Sequence, residues 1–277
     1  MTIFEAIITA IVEGVTEFLP ISSTGHMIIS SYLLGIHQDE FTKLFEISIQ
    51  LGAILAVVFL YWKIFFTVDF FSFRSLQFYL KLIVGVLPAI GLGLLFSDTI
   101  DALLESPLTV AIAMLLGGVF LLFIDKIFKT HSIKTDEAIS FKKAFIVGCW
   151  QTIAMIPGVS RSAASIIGGM QQKLTRELAA EFSFFLAVPT MLAATCYSLF
   201  LKDWEKENQV RKGVAILFEN QQNLICFIIG NIVAFIVALL AIRFFINYLK
   251  KNGFKIFGWY RIILGTILLI SICSGMK

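Results

Sequence analysis

Two short stretches hold most of the residues that could do chemistry in this chain of 277 residues. The first runs Glu13-Gly-Val-Thr-Glu17-Phe-Leu-Pro20-Ile-Ser22-Ser23-Thr24-Gly-His26. Glu13 and Glu17 are spaced i, i+4, so on a helix ending before Pro20 their carboxyls share one face. Two carboxylates that close inside a membrane either share a proton or bind a cation; a wet entrance is the plainer alternative. Past the proline, Ser22, Ser23 and Thr24 occupy an expected helix N-cap, where free backbone amides favour anions such as phosphate. His26 follows Ser23 at i+3, a spacing that predicts imidazole and hydroxyl within reach of each other. That is the arrangement of an activated nucleophile or proton donor, the bland reading being a capping serine beside a hydrogen-bonded histidine.

The second stretch, Pro157-Gly-Val-Ser160-Arg161-Ser162-Ala-Ala-Ser165, repeats the proline, break and hydroxyl-rich cap, and adds a guanidinium. No acid lies in the deep part of this segment. Arg161 is therefore expected to meet a ligand phosphate, which suits its planar charged fork, or to pair with Glu13 or Glu17, and the two are compatible.

Elements able to hold these residues follow from composition. With 58% hydrophobic and 15% charged residues and a mean hydropathy of +0.89, the chain has more apolar surface than a soluble core could hide and reads as an integral, all-α polytopic membrane protein. Its 28 phenylalanines suit a lipid-facing surface. No basic leader or cleavage site precedes the first apolar run, so no removable signal peptide is expected. Cys149, Cys196, Cys226 and Cys273 stand singly and read as packing residues rather than a metal or redox motif. The net charge of +3 is spread over loops and gives no reason to expect a nucleic-acid partner.

Runs able to cross a ~30 Å hydrocarbon core fall at about residues 48 to 66, 79 to 97, 107 to 128, 182 to 201, 222 to 248 and 257 to 274. Regions 3–35 and 141–171 are apolar but broken in the middle, and read as re-entrant helical hairpins, whose irregular backbone must be covered by protein or water. Lysine and arginine in short loops (Lys63, Arg74, Lys81; Lys126, Lys129, Lys134, Lys142, Lys143; Lys250, Lys251, Lys255) predict cytoplasmic loops, and the acidic loop with Asp98, Asp101 and Glu105 an outer one. Segment 202–219 mixes signs. Both termini then lie outside, with the first hairpin entering from the outer face and the second from the cytoplasm.

Collinear matches pair Pro20-Ile-Ser-Ser23 with Pro157-Gly-Val-Ser160, Glu46-Ile-Ser48 with Glu181-Phe-Ser183, and Ile83-Val-Gly85 with Ile228-Ile-Gly230. A single transmembrane domain, 1–277, thus reads as repeats 1–130 and 140–277, each one hairpin plus three spans. An odd span count turns the second copy over, a plan that puts a site between halves near the midplane. Glu46, Ser48, Glu181 and Ser183 read as span starts, and Trp62, Trp204, Trp259 and Tyr260 as an interfacial aromatic belt.

On its two motifs the chain resembles the undecaprenyl-diphosphate phosphatases of the bacitracin-resistance type. That family pairs Glu-x-x-x-Glu leading into Pro-x-Ser-Ser-Thr-Gly-His with Pro-Gly-x-Ser-Arg-Ser-x-x-Thr; here Ser165 replaces the final threonine and keeps the hydroxyl. The resemblance implies removal of the terminal phosphate from the polyprenyl diphosphate carrier of cell-wall synthesis, in the bacterial inner membrane, at a site open to the outer leaflet. It implies Glu13, Glu17, Ser23, His26 and Arg161 at the site and a divalent cation for activity; on our reading Ser23, His26, Glu17 and Arg161 are expected to be catalytic, with Mg²⁺ or Ca²⁺ held near Glu13 and Glu17. Arg161, Ser160, Ser162, Ser22 and Thr24 are expected to bind the diphosphate, with Ser23 as nucleophile or water-positioner and His26 passing its proton. Another class of lipid phosphatase requires a histidine and an aspartate after the arginine, and no histidine follows Arg161. The rival from a different class is a flippase or anion transporter, which the repeat would also suit. Monomer and homodimer are both open.

Overall fold

The computed structural model describes residues 1–66, 73–104, 106–129, 132–206 and 209–274. Glu105 and part of the loop between Lys63 and Arg74 lie outside them, and the side chains of Arg74, Asp98 and Asp101 are not described. The helices are α1 (Ile3–Thr16), α2 (Ser23–Leu34), α3 (Glu40–Ser48), α4 (Gln50–Leu60), α5 (Trp62–Phe66), α6 (Phe73–Leu95), α7 (Ser97–Leu104), α8 (Pro107–Ile127), α9 (Phe141–Thr152), α10 (Arg161–Gln171), α11 (Arg176–Cys196), α12 (Gly213–Leu217), α13 (Gln221–Lys251) and α14 (Lys255–Cys273). Six stretches among the described residues are long and apolar enough to cross a membrane: Glu40–Leu60, Ser75–Leu95, Pro107–Ile127, Arg176–Leu201, Gln221–Lys251 and Lys255–Cys273. The protein is an all-α multi-pass membrane protein.

The first span begins earlier than its apolar run because Asp39 caps α3, accepting from the Thr42 amide at 2.8 Å. Glu46 consequently lies within α3 rather than at a span start, and accepts from Ser31 and Gln38. Segment 202–219 opens with two short antiparallel strands, β1 (Asp203–Lys206) and β2 (Gln209–Lys212). Its mixed charges pair locally, Lys212 with Asp203 and Arg211 with Glu219, which is why the segment carries no clear topological signal. Trp204 is not part of an interfacial belt. It is buried, packs with Phe41, Leu44 and Phe45, and donates its indole N–H to the Ser198 carbonyl. Of the cysteines only Cys226 is packed inside; Cys149, Cys196 and Cys273 are exposed.

Regions 3–35 and 141–171 fold as helix, break, helix. Thr2 and Glu5 form a capping box that starts α1, and Pro20, with no amide hydrogen, prevents its continuation past Glu17. Gly35, at φ 65°, ends α2 in the left-handed conformation that glycine takes without strain. Ser140 caps α9, and Pro157 with Gly158 at φ 91° breaks it from α10. The first helix of each pair lies along a long helix from the other half of the chain: α1 packs on α13 and α9 on α6. Both approaches are backbone-close. A methyl at Gly148 would overlap the Gly85 carbonyl oxygen, and one at Gly14 would crowd Ala234 and Val237. With α8 packed along α14, these contacts bring the two breaks together in the interior.

Candidate active site

The two breaks have the same local geometry. Ser22 stands at φ 72°, ψ 100° and Ser160 at φ 74°, ψ 116°. Positive φ at a non-glycine residue costs about 1–3 kcal/mol and persists only where the surroundings enforce it. Each serine caps the following helix, Ser22 accepting from the Gly25 amide at 3.4 Å and Ser160 from Ala163 at 3.2 Å. The sequence match had set Ser23 opposite Ser160; the backbone sets Ser22 there instead. Ser23 and Arg161 are therefore the equivalent residues, each the first of its helix.

Both converge on Glu17, which is 8% exposed. Its Oε2 accepts from the Ser23 hydroxyl at 2.6 Å, and its Oε1 from Nη2 of Arg161 at 2.9 Å. Arg161 Nη1 donates to the Ser183 carbonyl at 3.0 Å and reaches its hydroxyl at 3.4 Å. The guanidinium carbon lies 5.6 Å from the centroid of Phe18, while Nε is buried and unpartnered. The ion pair expected with Glu13 or Glu17 thus forms with Glu17.

Glu13, one turn before Glu17, is fully buried, and neither carboxyl oxygen meets a donor. Spaced one helical turn from Glu17, it places two carboxyls side by side in the interior, where a proton shared between them would relieve their repulsion. An orphaned buried carboxyl beside a second one also suits a cation. Among the described residues no three His, Cys, Asp or Glu side chains gather as a metal cage.

His26 does not reach Ser23 as its spacing suggested. Nδ1 is 2.7 Å from the Ser22 carbonyl oxygen and Nε2 is 2.7 Å from the Tyr260 hydroxyl. The turn of α2 that carries His26 lays its ring against Tyr260, with centroids 5.5 Å apart and planes within 5°. Ser162 is fully buried and donates to the Phe18 carbonyl at 2.7 Å, which ties the two breaks together. Thr24 is half-buried in the first turn of α2. Ser165 Oγ shares a hydrogen bond with Ser183 Oγ at 2.6 Å, so the hydroxyl retained at that position buttresses the carrier of Arg161.

Three residues given no chemistry on sequence stand close to this machinery. Ser183, at an inward position of α11, holds Arg161. Tyr260 holds His26. Arg261, fully buried, donates all five of its N–H groups to carbonyls: Met114 and Ala113 on α8, Pro20 in the first break, and Gly158 and Val159 in the second. The signal for Arg261 was available, since an ionisable residue within an apolar span is a functional or structural anchor by default.

Over residues 6–267 the chain matches the family of bacitracin resistance protein BacA. It is 57% identical over 273 residues to a protein of Flavobacterium psychrophilum named undecaprenyl-diphosphatase, covering 98% of this chain and 96% of that one. Identity to the Flavobacterium johnsoniae protein of the same name is 55%, over 98% of this chain and 96% of the relative. A Porphyromonas gingivalis undecaprenyl-diphosphatase is 47% identical over 100% of this chain and 99% of its own length.

Proposed function

The chain belongs to the bacitracin resistance protein BacA family, and from that premise we propose that it is an integral membrane phosphatase that hydrolyses undecaprenyl diphosphate to undecaprenyl phosphate and phosphate. This recycles the lipid carrier of cell-wall synthesis and underlies bacitracin resistance. The observation that carries a chemical reading is the contact of a helix-start hydroxyl with a buried carboxylate that a guanidinium also grips: Ser23, Glu17 and Arg161. A carrier needs an anion site but has no use for a hydroxyl held on a base, and the flippase or anion-transporter reading is not favoured.

In this mechanism the terminal phosphate lies against Arg161 and the free amides at the starts of α2 and α10, with the hydroxyls of Ser22, Thr24 and Ser160 bordering the diphosphate, while Ser162, expected to join them, is instead spent on the Phe18 carbonyl. Phosphoryl transfer asks chiefly for positioning and charge neutralisation. The phosphate competes with Glu17 for the guanidinium, which leaves Glu17 a stronger base. Ser23 Oγ attacks phosphorus as its proton passes to Glu17; the Oγ–P bond forms, and the bond from phosphorus to the bridging oxygen breaks. Polyprenyl phosphate leaves. Water then cleaves the serine ester, releasing phosphate and returning the proton to Ser23. Glu17 takes the proton-accepting role that spacing had suggested for His26, and His26 holds the Ser22 carbonyl. Glu13 and Glu17 would hold Mg²⁺ or Ca²⁺, which would neutralise charge on the phosphoryl oxygens.

Regions 3–35 and 141–171 are read as re-entrant hairpins of an inverted repeat. In support, their helices have 11 to 14 residues, about 17–21 Å at 1.5 Å per residue, against a ~30 Å core. The shared serine geometry and the reciprocal packing of α1 on α13 and α9 on α6 agree with that reading. The site then opens to the outer leaflet of the bacterial inner membrane, the polyprenyl tail staying among the lipids. Phosphate release by purified protein in detergent, with divalent metal and a long-chain polyprenyl diphosphate, is the decisive assay. Absence of release there, where no compartments exist to cross, would return the transporter reading.

A further inference from the structure

His26 is bound at both nitrogens, and the two partners differ in what they can do. The Ser22 carbonyl only accepts, so Nδ1 must carry the hydrogen and donate it. In the neutral ring Nε2 is then a lone pair, and the Tyr260 hydroxyl must donate to it. The stacked rings fix the imidazole plane as well as its tautomer. Without the hydroxyl the Nε2 lone pair has lost its donor, so the preference for this tautomer rests on the Ser22 carbonyl alone and weakens against the Nε2–H counterpart, in which that carbonyl loses its donor.

That carbonyl belongs to one of the two strained serines. The serine's own side-chain cap is long, 3.4 Å to the Gly25 amide, so the imidazole is a principal restraint on the backbone that presents Ser23 to Glu17. In the second break the carbonyls of Gly158 and Val159, just before strained Ser160, are held by Arg261. Successive residues of α14 therefore secure both breaks, Arg261 directly and Tyr260 through His26.

We propose that Tyr260 is a positioning residue for the phosphatase reaction: its hydroxyl fixes His26 as the Nδ1–H tautomer, and through the Ser22 carbonyl this holds the first break in the shape that sets Ser23 against Glu17. The inference rests on the function proposed above but predicts a signature that is independent of turnover.

The test compares full-length wild type with Tyr260→Phe, which keeps the ring and removes only the hydroxyl. Imidazole ¹⁵N spectra, with His26 assigned through His26→Gln, are expected to show the Nδ1–H tautomer in wild type and a mixture with the Nε2–H form in the variant. Turnover of polyprenyl diphosphate in detergent is expected to fall roughly fivefold or more, with KM within about twofold, since the loss acts on positioning rather than substrate contact. Variant kcat within about twofold of wild type would overturn the inference, whatever the spectrum. So would a fall in kcat with the tautomer unchanged. If wild type releases no phosphate the functional reading fails separately, and a tautomer that survives in Tyr260→Phe still refutes the role assigned to Tyr260.

Discussion

Ser23 Oγ stands 2.6 Å from Glu17 Oε2, and the same carboxylate meets Arg161 through its other oxygen. One buried side chain thus joins the starts of two half-helices that are distant in sequence. Glu17→Gln should lower kcat by about 10²–10⁴, because it removes the proton acceptor while preserving shape. Ser23→Ala should abolish turnover, and quenching wild type during turnover should yield a phosphorylated Ser23 by peptide mass spectrometry. Substantial phosphate release by Ser23→Ala would leave that residue only a water-positioning role.

Arg161→Lys keeps the charge and loses the fork that spans Glu17 and Ser183. Truncating one partner of a buried charged hydrogen bond costs about 2–5 kcal/mol, so kcat/KM should fall at least roughly thirtyfold. Steady-state kinetics against diphosphate concentration measure it; a lysine variant at wild-type efficiency contradicts the bidentate role.

Metal dependence distinguishes the two carboxylates. Chelation should abolish phosphate release and added Mg²⁺ or Ca²⁺ restore it. Glu13→Gln, at the orphaned carboxyl, should raise the metal concentration for half-activation roughly tenfold or more, read from titrations at fixed substrate. An unchanged metal titration would leave Glu13 as a proton-sharing partner of Glu17 alone.

Ser160→Gly tests the strained break. Glycine adopts φ 74° freely, and losing the serine cap to glycine costs only a few tenths of a kcal/mol. Relief of about 1–3 kcal/mol, less the added freedom of the unfolded chain, predicts a variant about 1 kcal/mol more stable, seen as a higher melting temperature in detergent. Activity should fall as α10 loses its fixed start. A lower melting temperature would mean that Ser160 is not strained.

Ser162→Ala removes the hydroxyl that bridges the breaks and leaves the Phe18 carbonyl without that donor. A destabilisation of about 1–3 kcal/mol is expected, measurable by thermal melting. A variant that melts with wild type would indicate that the two breaks are held together elsewhere, Arg261 being the next candidate.

Sequence alone determined the features that depend on local composition. Apolar run length fixed the number of spans, because crossing a bilayer sets a minimum length. Prolines and cap serines marked both breaks, because a missing amide and a capping hydroxyl act within a few residues. The reactive residue types were legible for the same reason: Glu13, Glu17, Ser23, His26 and Arg161 have no ordinary place in lipid.

Only the tertiary structure decided their partners. Spacing of i+3 joined His26 to Ser23, but the strained Ser22 turns α2 so that Ser23 meets Glu17, behind it in the chain, and His26 meets Tyr260, 234 residues ahead. A one-residue difference between sequence match and backbone made Arg161 the counterpart of Ser23. Arg261 could be read as unusual from its place in a span, but its five carbonyls come from three separate segments. Local sequence sets which backbone groups need a partner; packing between remote helices decides which side chain arrives to satisfy them.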